Sequence, residues 1–475
     1  MISRDIDYSP SGNRESSADI YRVSRNLDPK LHPFERQLEY KRALNSTKLK
    51  RLFSKPFLKS LQGHLDSIYS LCTFPCNTSL LASGSGDGEI RLWDLSSGNS
   101  IWFNKDAHAG FINGITTCRK SNRIISVGQD KIINIYNQSS YKPVQTLNGK
   151  FAFTGVDHSI NDEFVTSGGN KVSLWDYNRS DPITSWEWGV DTIGKVRFNQ
   201  VESNLIASVG QDRSIVVYDT RTNTPVTKVF MELKNNAICW NPREAFNFSV
   251  ANEDHNIYMF DMRRLKRALN IGKDHVAAVL DLDYSPTGQE IVTGSYDKTI
   301  RIFEVDKGRS REVYHTKRMQ KIFAVKFSMD GKFVLSGSDD GNVRLWKANA
   351  AEKLGVLTVR EKNTLKYNDA LHERYQHMPQ VHRITRYLLP KLILDNVKFL
   401  LPSRRQRQGS VSCWIQLQEK KKTSENTQNL DQNHMFQSGI STLLLLKNKK
   451  AFSFTHSHFL LQNPMLDSLP AAMQV

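Results

Sequence analysis

Residues 80–94, LLASGSGDGEIRLWD, begin as a run of apolar and small residues, break at Gly-Asp-Gly, and resume as EIRLW, where Ile90 and Leu92 alternate with Glu89 and Arg91. Alternation of period two predicts a strand with one buried face, the small-residue run predicts a strand packed on both faces, and Gly-Asp-Gly supplies a tight turn. The same frame returns as VGQDKIINIYN (127–137), GGNKVSLWD (168–176), VGQDRSIVVYD (209–219), ANEDHNIYMFD (251–261), GSYDKTIRIFE (294–304) and GSDDGNVRLWK (337–347). The aromatics Trp93, Tyr136, Trp175, Tyr218, Phe260, Phe303 and Trp346 are 43, 39, 43, 42, 43 and 43 residues apart. Seven units of this length predict an all-β, seven-bladed propeller over residues 57–347, because one four-stranded unit cannot bury both its faces and a closed ring of them can.

Turn aspartates recur six residues before the aromatic, and three units carry an upstream His. The expected buried blade networks are His64, Ser83, Asp87 and Trp93; His108, Ser126, Asp130 and Tyr136; and His275, Thr293, Asp297 and Phe303. Ser, His and Asp together resemble a hydrolase triad, but a set that repeats around a ring is a packing device, not an active site. The third unit has Gly169 or Asn170 in place of Asp and one residue fewer before Trp175, so its network is expected to be incomplete. The chain lacks a Walker A sequence, a G-x-G-x-x-G fingerprint, H-E-x-x-H and G-x-S-x-G, and the reading is of a non-enzyme without cofactor or metal. Five cysteines form no C-x-x-C pair, consistent with a reducing compartment. No run of about eighteen apolar residues is present, so neither secretion nor membrane insertion is expected.

Charge changes the picture at the flanks. The net charge is +17, but residues 57–347 hold 35 basic and 32 acidic residues, against 12 and 7 in 1–56 and 12 and 5 in 348–408. Such a surplus points to nucleic acid or another anionic partner. The sharpest concentration inside the ring is DKGRSREVYHTKRMQK (306–321), read as a loop between blades six and seven. Its cations Lys307, Arg309, Arg311, Lys317, Arg318 and Lys321 suit phosphate, and Tyr314 or His315 suits stacking on an unpaired base; the alternative is a solvated inter-blade loop. In residues 26–57, apolar anchors alternate with Lys41, Arg42, Lys48, Lys50 and Arg51. That segment reads either as an amphipathic helix on blade one or as an extended arm that meets RNA.

The stretches NLDPKLHPFERQLEYKRALNSTKLKRLFSKPF (26–57), WNPREAFNFSVANED (240–254), LDYSPTGQEIVTGSYDKTIRIF (282–303), SREVYHTKRMQ (310–320) and WKANAAEKLGVLTVREKNTLKYNDALHERYQHMPQVHRITRY (346–387) resemble the WD-repeat-and-SOF-domain family. The resemblance implies a nucleolar, hence nuclear, scaffold of the small-subunit processome that supports maturation of 18S rRNA. Its implied partners are processome proteins, pre-rRNA and small nucleolar RNA, with the protein a monomer inside a large complex. The family is also described as a substrate receptor of a cullin-RING ubiquitin ligase, whose adaptor meets an aromatic-Asp-x-Arg tetrad. YDTR carries Asp219 and Arg221, and FDMR carries Asp261 and Arg263. The expected organisation is a basic arm (1–56), the propeller (57–347), a SOF-like segment (348–390) and a tail (391–475) that departs from the family and reads as lacking a packed core.

Overall fold

The computed structural model describes residues 29–386 apart from 121, 189, 190 and 223; the tail expectation for 391–475 lies outside the described residues. The small-residue runs and the alternating runs pair as antiparallel neighbours, for example Leu80–Ser85 with Ile90–Asp94. Seven four-stranded sheets result, one per sequence unit, and they form a seven-bladed β-propeller. Blades one to six are meanders that begin at the inner strands Ile68–Thr73, Ile112–Thr117, Phe153–His158, Ile193–Phe198, Asn235–Trp240 and Val279–Tyr284. Blade seven joins Ile322–Phe327, Phe333–Ser338 and Asn342–Lys347 to an outer strand from the other end of the propeller, Phe57–Gln62. In that closure Leu61 pairs with Val343 and is buried with Ile68, Trp93 and Leu345. Burying one Leu is worth roughly 1.5–3 kcal/mol, so the closing strand is held by its core as well as by its hydrogen bonds.

Small residues in each second strand let neighbouring blades approach. A Cβ added at Gly84 would lie 2.6 Å from Ile112 of blade two, and one at Gly294 would lie 2.5 Å from Val325 of blade seven. The start of every inner strand carries one register irregularity, such as Ile68/Ser70 and Ile322/Ala324, which leaves one residue per blade unpaired at the channel mouth. In three blades that residue clips the ring together: Asn113 donates to the Phe153 carbonyl at 2.7 Å, Thr154 to Ile193 at 2.6 Å and Asn236 to Val279 at 2.8 Å.

Deeper in the channel, carboxylates bridge inner strands that share no sheet. Asp157 accepts from the Phe198 amide at 2.7 Å, Asp281 from Val325 at 2.9 Å, and Asp283 from Phe327 at 2.9 Å and Lys326 at 2.7 Å. Burial pulls the Lys195 ammonium below its ordinary pKa in the same channel.

The flanks fold into three helices, α1 (Glu35–Leu52), α2 (Val359–Tyr375) and α3 (Pro379–Arg386). Thr-x-x-Glu starts α2 with a capping box, in which Thr358 Oγ1 accepts from the Glu361 amide at 3.3 Å and the Glu361 carboxylate accepts from the Thr358 amide at 3.1 Å. Helix α1 packs on α2 and α3. It turns Glu39, Ala43 and Thr47 inward, each buried, at a spacing of four.

Candidate functional site

Three blades carry a buried His in contact with a hydroxyl. In blade two, His108 Nδ1 meets Asp130 at 3.0 Å and Nε2 meets Ser126 Oγ at 2.7 Å; in blade six, His275 meets Asp297 at 2.9 Å and Thr293 Oγ1 at 2.8 Å. Burial is the main cause holding both imidazoles below their ordinary pKa. Tyr136 and Phe303 are buried at the aromatic position, where Phe303 has no polar atom to offer. Blade one differs from expectation. His64 Nε2 and Trp93 Nε1 both meet Ser83 Oγ, at 2.6 and 2.7 Å, but His64 Nδ1 faces Glu89 at 3.4 Å rather than Asp87. Asp87 is exposed and accepts from Ser85 and from the Glu89 amide. The longer Glu side chain, on the residue just before Ile90–Asp94, comes nearest the ring without a hydrogen bond to it, while the shorter Asp closes its own turn. In blade three Gly169 takes φ +56° and the Trp175 indole still finds Thr166 Oγ1 at 2.8 Å.

One further cluster has metal-ligand chemistry. Donor atoms of Cys118, His158 and Asp162 lie within 4.8 Å of one another, and neither His158 nitrogen has a hydrogen-bond partner. Lys120 Nζ sits 3.2 Å from Asp162, and burial is the main cause holding the His158 imidazole below its ordinary pKa, with Asp157 and Asp162 acting against it.

The basic stretch 306–321 is not a single loop. Its middle, Ser310–Tyr314, is the outer strand of blade six, so Lys307 and Arg309 lie at one end of about 13 Å of strand while His315, Lys317, Arg318 and Lys321 lie beyond the other. Lys307 pairs with Glu304. Tyr314 is 1 % exposed, stacks on Trp346 with centroids 5.5 Å apart, and donates to the buried Glu312. It therefore has no free face for a base. Arg311 is turned inward as well, meeting Glu290 at 3.1 Å and the Ala348 carbonyl at 2.8 Å. With Glu312 Oε2 accepting from the Ala350 amide at 3.1 Å, this strand latches the chain where it leaves the propeller. His315, Lys317 and Arg318 remain exposed.

The N-terminal basic segment is helical rather than extended, and the helix packs on α2 and α3. Within α1, Lys50 pairs with Asp369 at 3.3 Å, and Arg51 donates to the Thr385 carbonyl at 2.7 Å. Buried Glu39 accepts from Tyr375 at 2.8 Å and pairs with Arg374 at 3.3 Å. Lys41 and Lys48 are exposed and Arg42 is half-buried. The two flanks, far apart in sequence, are thus one helical module.

The paired arginines are the most regular surface feature. Arg221 reaches back to Asp219 through Nε at 3.1 Å and Nη2 at 2.8 Å, and Arg263 to Asp261 at 3.1 and 2.9 Å. Each Asp side chain is nearly buried and each Arg is exposed, 70 % and 62 %. The fork-to-carboxylate geometry fixes each guanidinium on the third-to-outer-strand loop of its blade, and Arg263 also lies 4.4 Å from the Phe246 ring. Adjacent blades therefore present the same device twice on one rim.

A Sof1-like domain matches residues 348–409, and WD-domain G-beta repeats match 55–94, 267–304 and 311–347. The chain is 48 % identical over 408 residues to DDB1- and CUL4-associated factor 13 of Danio rerio, covering 84 % of this chain and 92 % of that protein. It is 47 % identical over 405 residues to the Homo sapiens protein of the same name, covering 84 % and 90 %. With Protein SOF1 of Saccharomyces cerevisiae it shares 46 % identity over 411 residues, 80 % and 83 %. Near-full coverage by relatives this similar, together with a propeller running into a Sof1-like segment, places the chain in the WD-repeat family that carries a Sof1-like domain.

Proposed function

We propose that this protein is a non-catalytic scaffold of the small-subunit processome that supports maturation of 18S rRNA from its precursor in the nucleolus. The observation that carries the reading is the Sof1-like segment, continuous with the propeller and folded against the N-terminal helix α1. A rigid ring with a second docking module suits multivalent assembly, in which separate weak contacts gain from effective concentration. Processome proteins, pre-rRNA and small nucleolar RNA are the partners, and the protein enters as one copy. No helix among the described residues is long and apolar enough to cross a membrane.

A second role has its own support. Relatives bear the name DDB1- and CUL4-associated factor 13, and Arg221 and Arg263 stand exposed in matching geometry on adjacent blades. On this reading they meet the adaptor of a cullin-RING ligase, and the opposite rim holds a substrate. Depletion of the endogenous protein and rescue with Arg221→Ala/Arg263→Ala separates the roles. The expected result is normal 18S rRNA processing with the ligase lost from the purified complex. A wild-type protein absent from pre-ribosomal particles would overturn the scaffold reading, and a variant that keeps the ligase would overturn the second.

A further inference from the structure

The residue left unpaired at the start of each inner strand clips neighbouring blades in blades two, three and five, through Asn113, Thr154 and Asn236. In blades seven and one that same position holds Phe323 and Tyr69, whose rings stack on each other at 4.8 Å. The clip from blade one is made by Ser70 instead, donating to the Ile112 carbonyl at 3.3 Å, so the rings are not needed for it. Phe111 continues the surface, 5.5 Å from Tyr69. Beside it Lys321 Nζ lies 4.5 Å from the Tyr296 ring. Phe111 and Tyr296 are 44 % and 48 % exposed, so both rings are open to solvent. The crossing into blade seven adds exposed Lys317 and Arg318, and the Tyr296 turn adds exposed Lys298. Of the acids on this rim, Asp297 pairs with His275 and Asp340 with Arg344, while exposed Asp66, Asp87 and Asp339 remain beside the cations.

We propose that this mouth binds an unpaired stretch of RNA, with bases stacked on the exposed rings and phosphates held by the basic crossing. The proposal rests on the ribonucleoprotein reading above and names its ligand. Rings interleaved with cations suit single strands because every base has a face to stack, whereas a duplex hides its faces. Tyr314, the ring that local sequence nominates, is buried; the ring closure supplies others.

The test is fluorescence anisotropy of the full chain with an oligouridylate of about 10 nucleotides, a length within the span such sites cover, against a duplex RNA of equal length. Wild type is expected to prefer the single strand, and Phe111→Ala/Tyr296→Ala to weaken it roughly tenfold per lost stack without weakening the duplex. Lys317→Ala/Arg318→Ala is expected to lower the salt slope by roughly 0.7 per charge removed. Both ring positions are half-exposed, and unchanged thermal unfolding checks that the variants fold. Equal binding of single strand and duplex, wild-type affinity in the ring variants, or equally tight binding of a polyglutamate peptide overturns the proposal, the last in favour of an acidic protein partner. Recovery in pre-ribosomal particles tests the scaffold reading separately: particles retained alongside any of these binding results defeat the RNA site alone.

Discussion

His64, His108 and His275 are each buried and bonded to a hydroxyl that the sequence frame places correctly. Burial, with Arg91 adding to it, lowers the His64 pKa from 6.5 to about 4, and burial lowers the other two as well. A His kept neutral in the fold but free to protonate when unfolded makes the unfolded state the better proton acceptor. Stability therefore falls as pH drops below the unfolded pKa and stops falling near the folded one. For His64 alone the loss is about 2 kcal/mol between pH 7 and 5. Urea unfolding at the two values should show at least this decrease, and His64→Gln should flatten part of it while lowering stability at pH 7; a pH-independent free energy would contradict the assignment. Which carboxylate lies nearest Nδ1 was not legible in the spacing. Asp87 and Glu89 both lie near in sequence, and only side-chain reach across the turn decides between them.

At the scale of the element, the outer strand of blade six shows why composition misled. Arg311, Glu312 and Tyr314 look like parts of a basic aromatic loop, yet all three face inward and fasten Ala348 and Ala350. A strand shows two faces to two environments, and a string of charges does not reveal which face a neighbour will cover. Glu312→Ala removes the acceptor of the buried Ala350 amide and one of the two acceptors of the Tyr314 hydroxyl, which keeps the Ala348 carbonyl, at about 1–3 kcal/mol for the amide left unpaired. Lower thermal stability and faster limited proteolysis within 348–358 are the expected outcomes, with Lys317→Ala as the neutral control. Cleavage at the wild-type rate would mean that the latch does not hold the exit segment.

For the whole molecule, closure of the ring joins two distant parts of the chain. Phe57–Gln62 completes blade seven, and the helix before it, α1, packs on α2 and α3, which follow that blade. Deleting residues up to 62 should expose the Val343 and Trp346 edge and remove the buried Leu61, for a loss of several kcal/mol. Calorimetry should then give a lower, broader transition and size-exclusion chromatography should show self-association through the open strand edge. A monodisperse truncation with the full-length midpoint would show that blade seven stands with three strands.

The sequence by itself determined the number of blades and which aromatic anchors each one, because a repeated two-residue alternation interrupted by a turn every 39 to 43 residues is a local property written seven times. It also placed Asp219–Arg221 and Asp261–Arg263, whose ion pairs span only two residues. Tertiary structure alone decided which strand closes the ring and that the two basic flanks meet as one helical module. It also decided that Tyr314 is core while Tyr69, Phe111 and Phe323 gather at the channel mouth from three different blades. These are contacts between segments tens to hundreds of residues apart, and they arise from the geometry of closing the ring, which no local pattern encodes.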